Sequence, residues 1–310
     1  MRPKISVLMT IYNQEKYISE SVNSILNQTF SDFEFIIIND GSTDNSLQII
    51  KKFSQLDKRI KFFSKSNTGV THSLNYGLKK CQANWIARMD SDDISDLDRF
   101  KIQYNIIRKK KSLVLVGSNC KEIDFDGKIN SFHEYPKNNI DLKFNLENLK
   151  KFFPHSSYFF SNEAVKKING YRNFVKRSQD YDLSLRLSAI GEISCIDKFL
   201  VSIRKHSHQV SHEDNGFRQL VDARISLYSY FCRSTEIEDP INTSYKNYLN
   251  FFNFIRKESN PKFYFFYKAI LNKFFFKTFI HFSNILFVMN YKKKLLYIFK
   301  LVYKINTNKK

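Results

Sequence analysis

The N-terminal third of the chain repeats one pattern: a short apolar run, a polar cluster, then a segment with helical spacing. The runs are Ile5–Ile11, Phe33–Ile38, Ile60–Phe63 and Trp85–Met89, each of strand length. After the first, Ile18, Val22, Ile25 and Leu26 fall at i, i+4, i+7 and i+8 of a helix opening at Glu15. Leu47, Ile50 and Phe53 mark a second helix beyond Asn39-Asp40-Gly41-Ser42-Thr43-Asp44, and Leu74 and Leu78 a third beyond Asn67-Thr68-Gly69. Strands that are apolar throughout are buried on both faces, and strands alternating with single helices form βαβ units. The pattern therefore predicts an α/β domain with a mainly parallel sheet. In such a sheet the polar clusters meet on one rim, beyond the carboxyl ends of the strands, where open α/β sheets bind ligands.

Beyond Asp93 the spacing predicts a helix over Asp96–Lys110, a strand over Val114–Val116 and a hairpin over Lys121–Phe132 turning at Asp126-Gly127. A short helix over Leu142–Leu149 and a strand over Pro154–Phe160 follow. A helix over Glu163–Ile168 ends at Gly170, and another over Ser178–Ile190 is closed by Gly191. Two short strands, Ile193–Ile196 and Phe199–Ile203, lead into the loop Arg204–His212, which holds three of the seven histidines.

Three clusters on the expected rim carry chemistry. The run Trp85–Met89 ends in Asp90-Ser91-Asp92-Asp93, three carboxylates in four positions. Like charges so close need a cation, a hydrogen-bonding shell or open water to stay ionised. Hard divalent ions take oxygen ligands and bridge carboxylates to phosphates. The plainer alternative is a solvated acidic turn ahead of the next helix. Thr10-Ile11-Tyr12-Asn13, with Glu15 behind, offers a ring to lie against a base and polar groups to hydrogen-bond it. Asp40-Gly41-Ser42 puts a carboxylate at a strand end beside a helix N-terminus, fit for a ribose or a pyrimidine N–H, with phosphate favoured at the helix. Alone, it is equally an ordinary turn. No G-x-G-x-x-G follows the first strand and no G-x-x-x-x-G-K-[ST] occurs, which disfavours a dinucleotide fold and a nucleoside-triphosphatase loop.

Taken together, Ser6–Asn13, Ile38–Asp44, Asn67–Gly69 and Arg88–Ile94 resemble family 2 glycosyltransferases of the GT-A fold, the Rossmann-like fold of nucleotide-diphospho-sugar transferases. The resemblance continues through Asp98-Arg99 and Ser178–Leu187, covering roughly residues 4–212. It implies a mixed, mainly parallel sheet flanked by helices, with the nucleotide-sugar half over residues 1–95 and the acceptor half over 96–216. It places Asp40 at the uracil or thymine and ribose side of the donor, and Thr10, Tyr12 and Glu15 around the base. Ser42, Asn67, Arg88 and Asp90 join the nucleotide-sugar-binding set. The D-x-D motif falls on Asp90-Ser91-Asp92, where Asp92, with Asp90 near the ribose or metal, implies Mn²⁺ or Mg²⁺ against the diphosphate. His206 matches a late basic or metal-binding position and is a candidate ligand, although a surface-loop histidine accounts for it as well. The family's general base is the Asp of an acidic pair opening a late helix. Here the pair reads Gln179-Asp180, so the usual Glu is missing and Asp180 takes the base role. Asp182 and Arg186, at i and i+4, read as a helix salt bridge.

The net charge of +20 is uneven. Residues 240–310 hold 14 Lys/Arg against the single acid Glu258, a net of +13, and 20 of the 49 aromatic residues. Residues 217–310 therefore read as a basic, aromatic helical region outside the resemblance. Lys273, Lys277, His281 and Asn284 form a polar stripe on an otherwise aromatic helix, suited to the interface of an anionic membrane. Packing on the catalytic domain, or on a second subunit in a homo-oligomer, is the alternative. No nucleic-acid partner is expected, because the Phe runs belong to no binding motif. The longest uncharged stretch in the tail, Thr278–Tyr291, is 14 residues and short of the ~20 that a span needs, so no transmembrane helix is expected. Cys81, Cys120, Cys195 and Cys232 are dispersed, and no secretory leader is read ahead of the first strand, so reduced cytosolic thiols are expected.

The expectation is an inverting, metal-dependent glycosyltransferase, cytoplasmic and peripheral at the inner face of the cell membrane. It would transfer sugar from a UDP- or dTDP-sugar to a glycan or lipid-linked acceptor in bacterial surface-polysaccharide synthesis. The competing readings are a sugar-1-phosphate nucleotidyltransferase, for which Tyr12-Asn13-Gln14-Glu15 is the wrong loop, and a basic scaffold or nucleic-acid-binding protein without activity.

Overall fold

A computed structural model describes residues 2–206 and 217–234. The chain divides into two compact units, Met1–Gly216 and Phe217–Lys310. In the first, β1 (Ile5–Ile11), β2 (Phe33–Asn39), β3 (Ile60–Ser64) and β4 (Trp85–Asp90) form a parallel block in the order β3-β2-β1-β4. Every residue of β1 and β2 is buried. The sheet continues through β8 (Phe159–Ser161), antiparallel to both β4 and β6 (Leu113–Ile123). Next to β6 runs β9 (Glu192–Arg204), parallel to it, with β5 (Ile94–Ser95) antiparallel at the edge and β7 (Ile129–His133) hairpinned onto β6. Among the described residues this makes one mixed sheet of nine strands.

Helices cover both faces of the parallel block. Ile5, Val7 and Met9 point to one face, with Ile18, Val22 and Ile25 of α1 (Ile18–Leu26), Ile50 of α2 (Ser46–Leu56), and Phe100 and Ile107 of α4 (Arg99–Lys109). Leu8 and Ile38 point to the other, under α3 (Val70–Leu78). There a Cβ on Gly77 would lie 2.3 Å from Leu8 Cδ1, so glycine is what lets α3 lie down on the sheet. Each fully buried aliphatic side chain contributes about 1.5–3 kcal/mol, which fixes strand register firmly where both faces are covered. Beyond α4 the chain adds α5 (Asn139–Glu147), α6 (Asn162–Lys167) and α7 (Gln179–Ile190). The described part of the second unit is α8 (Phe217–Ser234), and the tail features beyond residue 234 lie outside the described residues. No helix among the described residues is long and apolar enough to cross a membrane.

The expected elements are present, with five departures. The helix expected from Glu15 begins at Ile18, because the residues before it are bonded to the next loop. The strand at 114–116 and the first arm of the hairpin are one strand, β6. The strands at 193–196 and 199–203 are one strand, β9, whose register with β6 slips between Ile196 and Phe199, a bulge that the polar pair Asp197-Lys198 fills. Pro154–Phe160 is not one strand: His155–Ser157 is a 3-10 turn, closed by Ser157 N–H and Ser157 Oγ on the Pro154 carbonyl, ahead of β8. The two-residue β5 was not anticipated.

Candidate active site

Strand order brings the ends of β2, β1 and β4 together, with Thr10 level with Ile38 on one side and Asp90 on the other. Two strand spacings, roughly 10 Å, separate the β2 and β4 ends. Thr10 is buried at the floor between them, and Tyr12 stands at the mouth with 48% of its surface exposed. The loops after β1 and β2 are laced together. Asn13 N–H donates to Ser42 Oγ (3.1 Å), Thr43 N–H to Asn13 Oδ1 (2.8 Å) and Gln14 N–H to Ser46 Oγ (2.8 Å). Glu15 N–H donates to Asp44 Oδ2 (2.9 Å), while Glu15 Oε2 accepts from Asn45 N–H and Nδ2 at 3.0 and 2.8 Å. Ser42 and Glu15 thus hold the first turn of α2 against the β1 loop, on which Tyr12 is an exposed aromatic ring.

Asp40 directly follows β2, buried to 3% exposure. Its Oδ1 accepts from Thr68 N–H (2.9 Å) and from Lys65 Nζ, and its Oδ2 from Gly69 N–H (2.9 Å). Burial pushes its pKa up, but the bonds from Lys65 and Thr68 prevail and hold it below the ordinary carboxylate range. Gly41 has φ +75°, and a Cβ there would lie 2.7 Å from Asn67 N. The Asp-Gly pair therefore fixes the Lys65–Gly69 loop at the rim, with Asn67 exposed on it.

Arg88 and Asp90 share one face of β4. Buried Arg88 pairs through Nη2 with Asp90 Oδ1, while its Nε has no partner among the described residues. Ser156, from the 3-10 turn, accepts from Asp90 N–H (3.2 Å) and donates to Asp90 Oδ2 (2.9 Å). The same hydroxyl touches Asp93 Oδ2. One hydroxyl carries one proton, so Asp90 and Asp93 compete for the Ser156 donor. Burial, then the charges of Asp92 and Asp90, push the Asp93 pKa well up.

Asp92 Oδ2 faces His206 Nε2 at 3.0 Å. The His206 ring lies against Tyr17, centroids 4.9 Å apart, and its buried Nδ1 has no partner among the described residues. Two residues earlier, buried Arg204 ties the surroundings together. Its N–H donates to Asp93 Oδ1 (2.9 Å), its Nε to the Asp92 carbonyl (3.0 Å) and its Nη1 to the Phe125 carbonyl (3.0 Å). Nη2 pairs with Glu20, and the guanidinium lies over the Tyr17 ring.

Asp180 sits half-buried in the first turn of α7. Burial raises its pKa and the Asp90 charge adds to that, against lowering by Tyr181 N–H and Arg88. Asp180 therefore feels the charges of Arg88 and Asp90 at the end of β4. Ser178, not Asp180, is the N-cap residue of α7. Asp182 is buried against Arg186 (Nε–Oδ2 2.8 Å), whose Nη1 reaches the Gly170 carbonyl (2.7 Å), so this pair is structural, as its i, i+4 spacing predicts.

Among the described residues no group of three or more His, Cys, Asp or Glu is arranged to hold a metal ion. Of the three sequence-predicted ligands, Asp92 and His206 are hydrogen-bonded to each other and Asp90 does not join them. Two adjacent ligands of an octahedral ion, with bonds near 2.1 Å, stand about 3 Å apart, which is the separation observed. Asp90 is already engaged through both oxygens. A divalent ion therefore fits Asp92 and His206 if phosphate oxygens and water complete its shell.

Ser156, Lys65 and Arg204 carry no sequence signal of their own. Arg204 could have been sought as a buried partner beside His206. Ser156 lies 66 residues from Asp90.

The sequence profile of Glycosyl transferase family 2 matches residues 6–168. The O-antigen biosynthesis glycosyltransferase WbnJ of Escherichia coli is 37% identical over 184 residues, covering 59% of this chain and 71% of WbnJ. The chondroitin synthase of Escherichia coli is 30% identical over 67% of this chain and 30% of its own length. Among solved structures, S. aureus TarS 1-349 in complex with UDP-GlcNAc superposes with a TM-score of 0.58 at 20% identity, over 72% of this chain and 66% of that one. The last likeness is one of fold.

Proposed function

The chain belongs to glycosyl transferase family 2 and is a glycosyltransferase of GT-A fold, and on that premise we propose how its rim works. The donor is a nucleoside diphosphate sugar, with UDP or dTDP as the nucleotide. Tyr12 and Thr10 wall the base, and the loop held by Asp40, with Asn67, closes over the nucleoside. Glu15 and Ser42 serve this pocket by fixing the loops around it. Asp90, held by Arg88, turns toward the ribose side. Asp92 and His206 would hold Mn²⁺ or Mg²⁺, which would supply Lewis-acid stabilisation of the leaving diphosphate. The observation that carries this reading is the Asp92–His206 pair, facing at ligand spacing beside a carboxylate rim in a chain of this family.

Asp180 is the base. Its raised pKa suits proton abstraction better than that of a solvated carboxylate. The acceptor O–H proton passes to the Asp180 carboxylate as the oxygen bonds the anomeric carbon. The bond from that carbon to the phosphate oxygen breaks, and its electron pair leaves with the nucleoside diphosphate. One direct displacement inverts the anomeric centre. Gln179 stands where the family has Glu, so Asp180 works without an acidic neighbour at that position. The acceptor is a glycan, lipid-linked in surface-polysaccharide assembly, and the tail brings the enzyme to the inner membrane face. Polysaccharide-synthesising relatives and the basic aromatic composition of 240–310 support this.

The test is turnover of a panel of UDP- and dTDP-linked α-sugars with Mn²⁺, following nucleotide release and the anomeric configuration of product. A β-linked product from one nucleotide series is expected. A product retaining α configuration would sink the single-displacement mechanism, and no release from any donor would sink the donor assignment.

A further inference from the structure

Asp90 is a donor-site carboxylate open to rotation. Its side chain keeps 38% of its surface open, and Arg88 holds only one of its oxygens. Its other oxygen and its backbone N–H both meet a single atom, Ser156 Oγ, at 2.9 and 3.2 Å. That hydroxyl also lies 3.4 Å from Arg88 Nη1 and in hydrogen-bond contact with buried Asp93. Ser156 itself is 1% exposed and cannot shift. The 3-10 turn that carries it is closed by Ser157 N–H on the Pro154 carbonyl (2.9 Å) and Tyr158 N–H on the His155 carbonyl (3.0 Å). Arg99, buried and bonded to the carbonyls of both Arg88 (2.9 Å) and Tyr158 (3.2 Å), locks that turn to β4.

We propose that Ser156 is a positioning residue of the donor site, its hydroxyl setting the plane of the Asp90 carboxylate and bracing the Arg88–Asp90 pair against Asp93. This rests on the donor-site reading above. Ser156 touches no substrate; it acts through Asp90. An Asp90 carboxylate free to turn about its side-chain torsions would meet the nucleotide in several orientations, and ordering it would then oppose binding. A preorganised carboxylate avoids that loss.

The test is calorimetric titration of UDP with Mn²⁺ into the full-length protein and three variants, with a thermal melt of each. Ser156→Ala removes the hydroxyl, and Ser156→Cys fills the same space with a poor donor, so the second keeps the test open if the first folds badly. Ser157→Ala is the control, because Ser157 Oγ bonds only the Pro154 carbonyl of the same turn (2.7 Å). Loss of a hydrogen bond to a charged group predicts affinity per folded molecule falling roughly ten- to hundredfold in both Ser156 variants. Ser157→Ala is expected to stay within about threefold of the parent, because its hydroxyl bonds the Pro154 carbonyl and not Asp90. Wild-type affinity in Ser156→Cys, or an equal fall in Ser157→Ala, would overturn the proposal by making the turn, not the hydroxyl, responsible. Absence of UDP binding by the unmutated protein would overturn the donor-site reading itself, and this inference with it.

Discussion

Asp180 and Asp90 are two electrostatically linked carboxylates with different surroundings. Asp90 is held by Arg88 and Ser156, whereas burial and the nearby Asp90 charge raise the Asp180 pKa. A base works ionised, so turnover is expected to rise with pH through that raised pKa and level off above it, displaced upward from the ordinary carboxylate range. The pH–rate profile checks this, and a profile flat across the acidic range would contradict it. Asp180→Asn should lower turnover by about 10²–10⁴-fold while UDP affinity is kept. His206→Ala should weaken Mn²⁺-dependent UDP binding without altering whatever binding occurs in chelator, by titration in the two conditions. The sequence announced these candidates because they fall in motifs or at strand ends. It was silent on Ser156 and Lys65, since nothing in a lone Ser or Lys records which distant carboxylate it will meet in the fold.

At the scale of elements, the rim is shaped by turns that tolerate few replacements. Gly41→Ala combines φ +75° with a Cβ 2.7 Å from Asn67 N. It should cost about 1–3 kcal/mol in chemical denaturation and weaken UDP binding, because the Lys65–Gly69 loop must move. Asp182→Ala leaves Arg186 buried without its carboxylate and should cost about 3–5 kcal/mol. An unchanged melting temperature would show the pair to be dispensable. In the parallel block β1, β2 and β4 were readable almost to the residue because they are buried on both faces and must be largely apolar. The His155–Ser157 turn was not, since an apolar segment that opens with Pro-His-Ser-Ser satisfies a strand pattern and a 3-10 turn alike. The length of β6 and β9 was hidden by polar residues, Asn119 and Asp197-Lys198, that long strands carry at a bulge or edge. Glu15 reads as a helix start, and only the bonds to Asp44 and Asn45 explain why α1 waits until Ile18.

For the whole molecule, charge is segregated: +13 of the +20 lies in residues 240–310. A surface-seeking role for that tail predicts sedimentation of the full chain with phosphatidylserine-containing vesicles at low salt and release at high salt. Replacing Lys292, Lys293 and Lys294 by Gln should weaken this by about 1 kcal/mol per lysine. Equal binding to neutral vesicles, or none to either, would contradict the role. Fold class followed from the alternation of elements, and the catalytic half from motifs spread over two thirds of the chain. Acceptor and donor sugar have no such pattern, because they are read by loop shapes that depend on every neighbouring element. The central claim is that the carboxylate rim is a metal-dependent nucleotide site. Calorimetric titration of UDP into the wild-type protein and Asp92→Asn, each with Mn²⁺ and with chelator, tests it most directly. The account predicts Mn²⁺-dependent binding that Asp92→Asn abolishes; binding that is indifferent to both metal and substitution, or no binding at all, would contradict it.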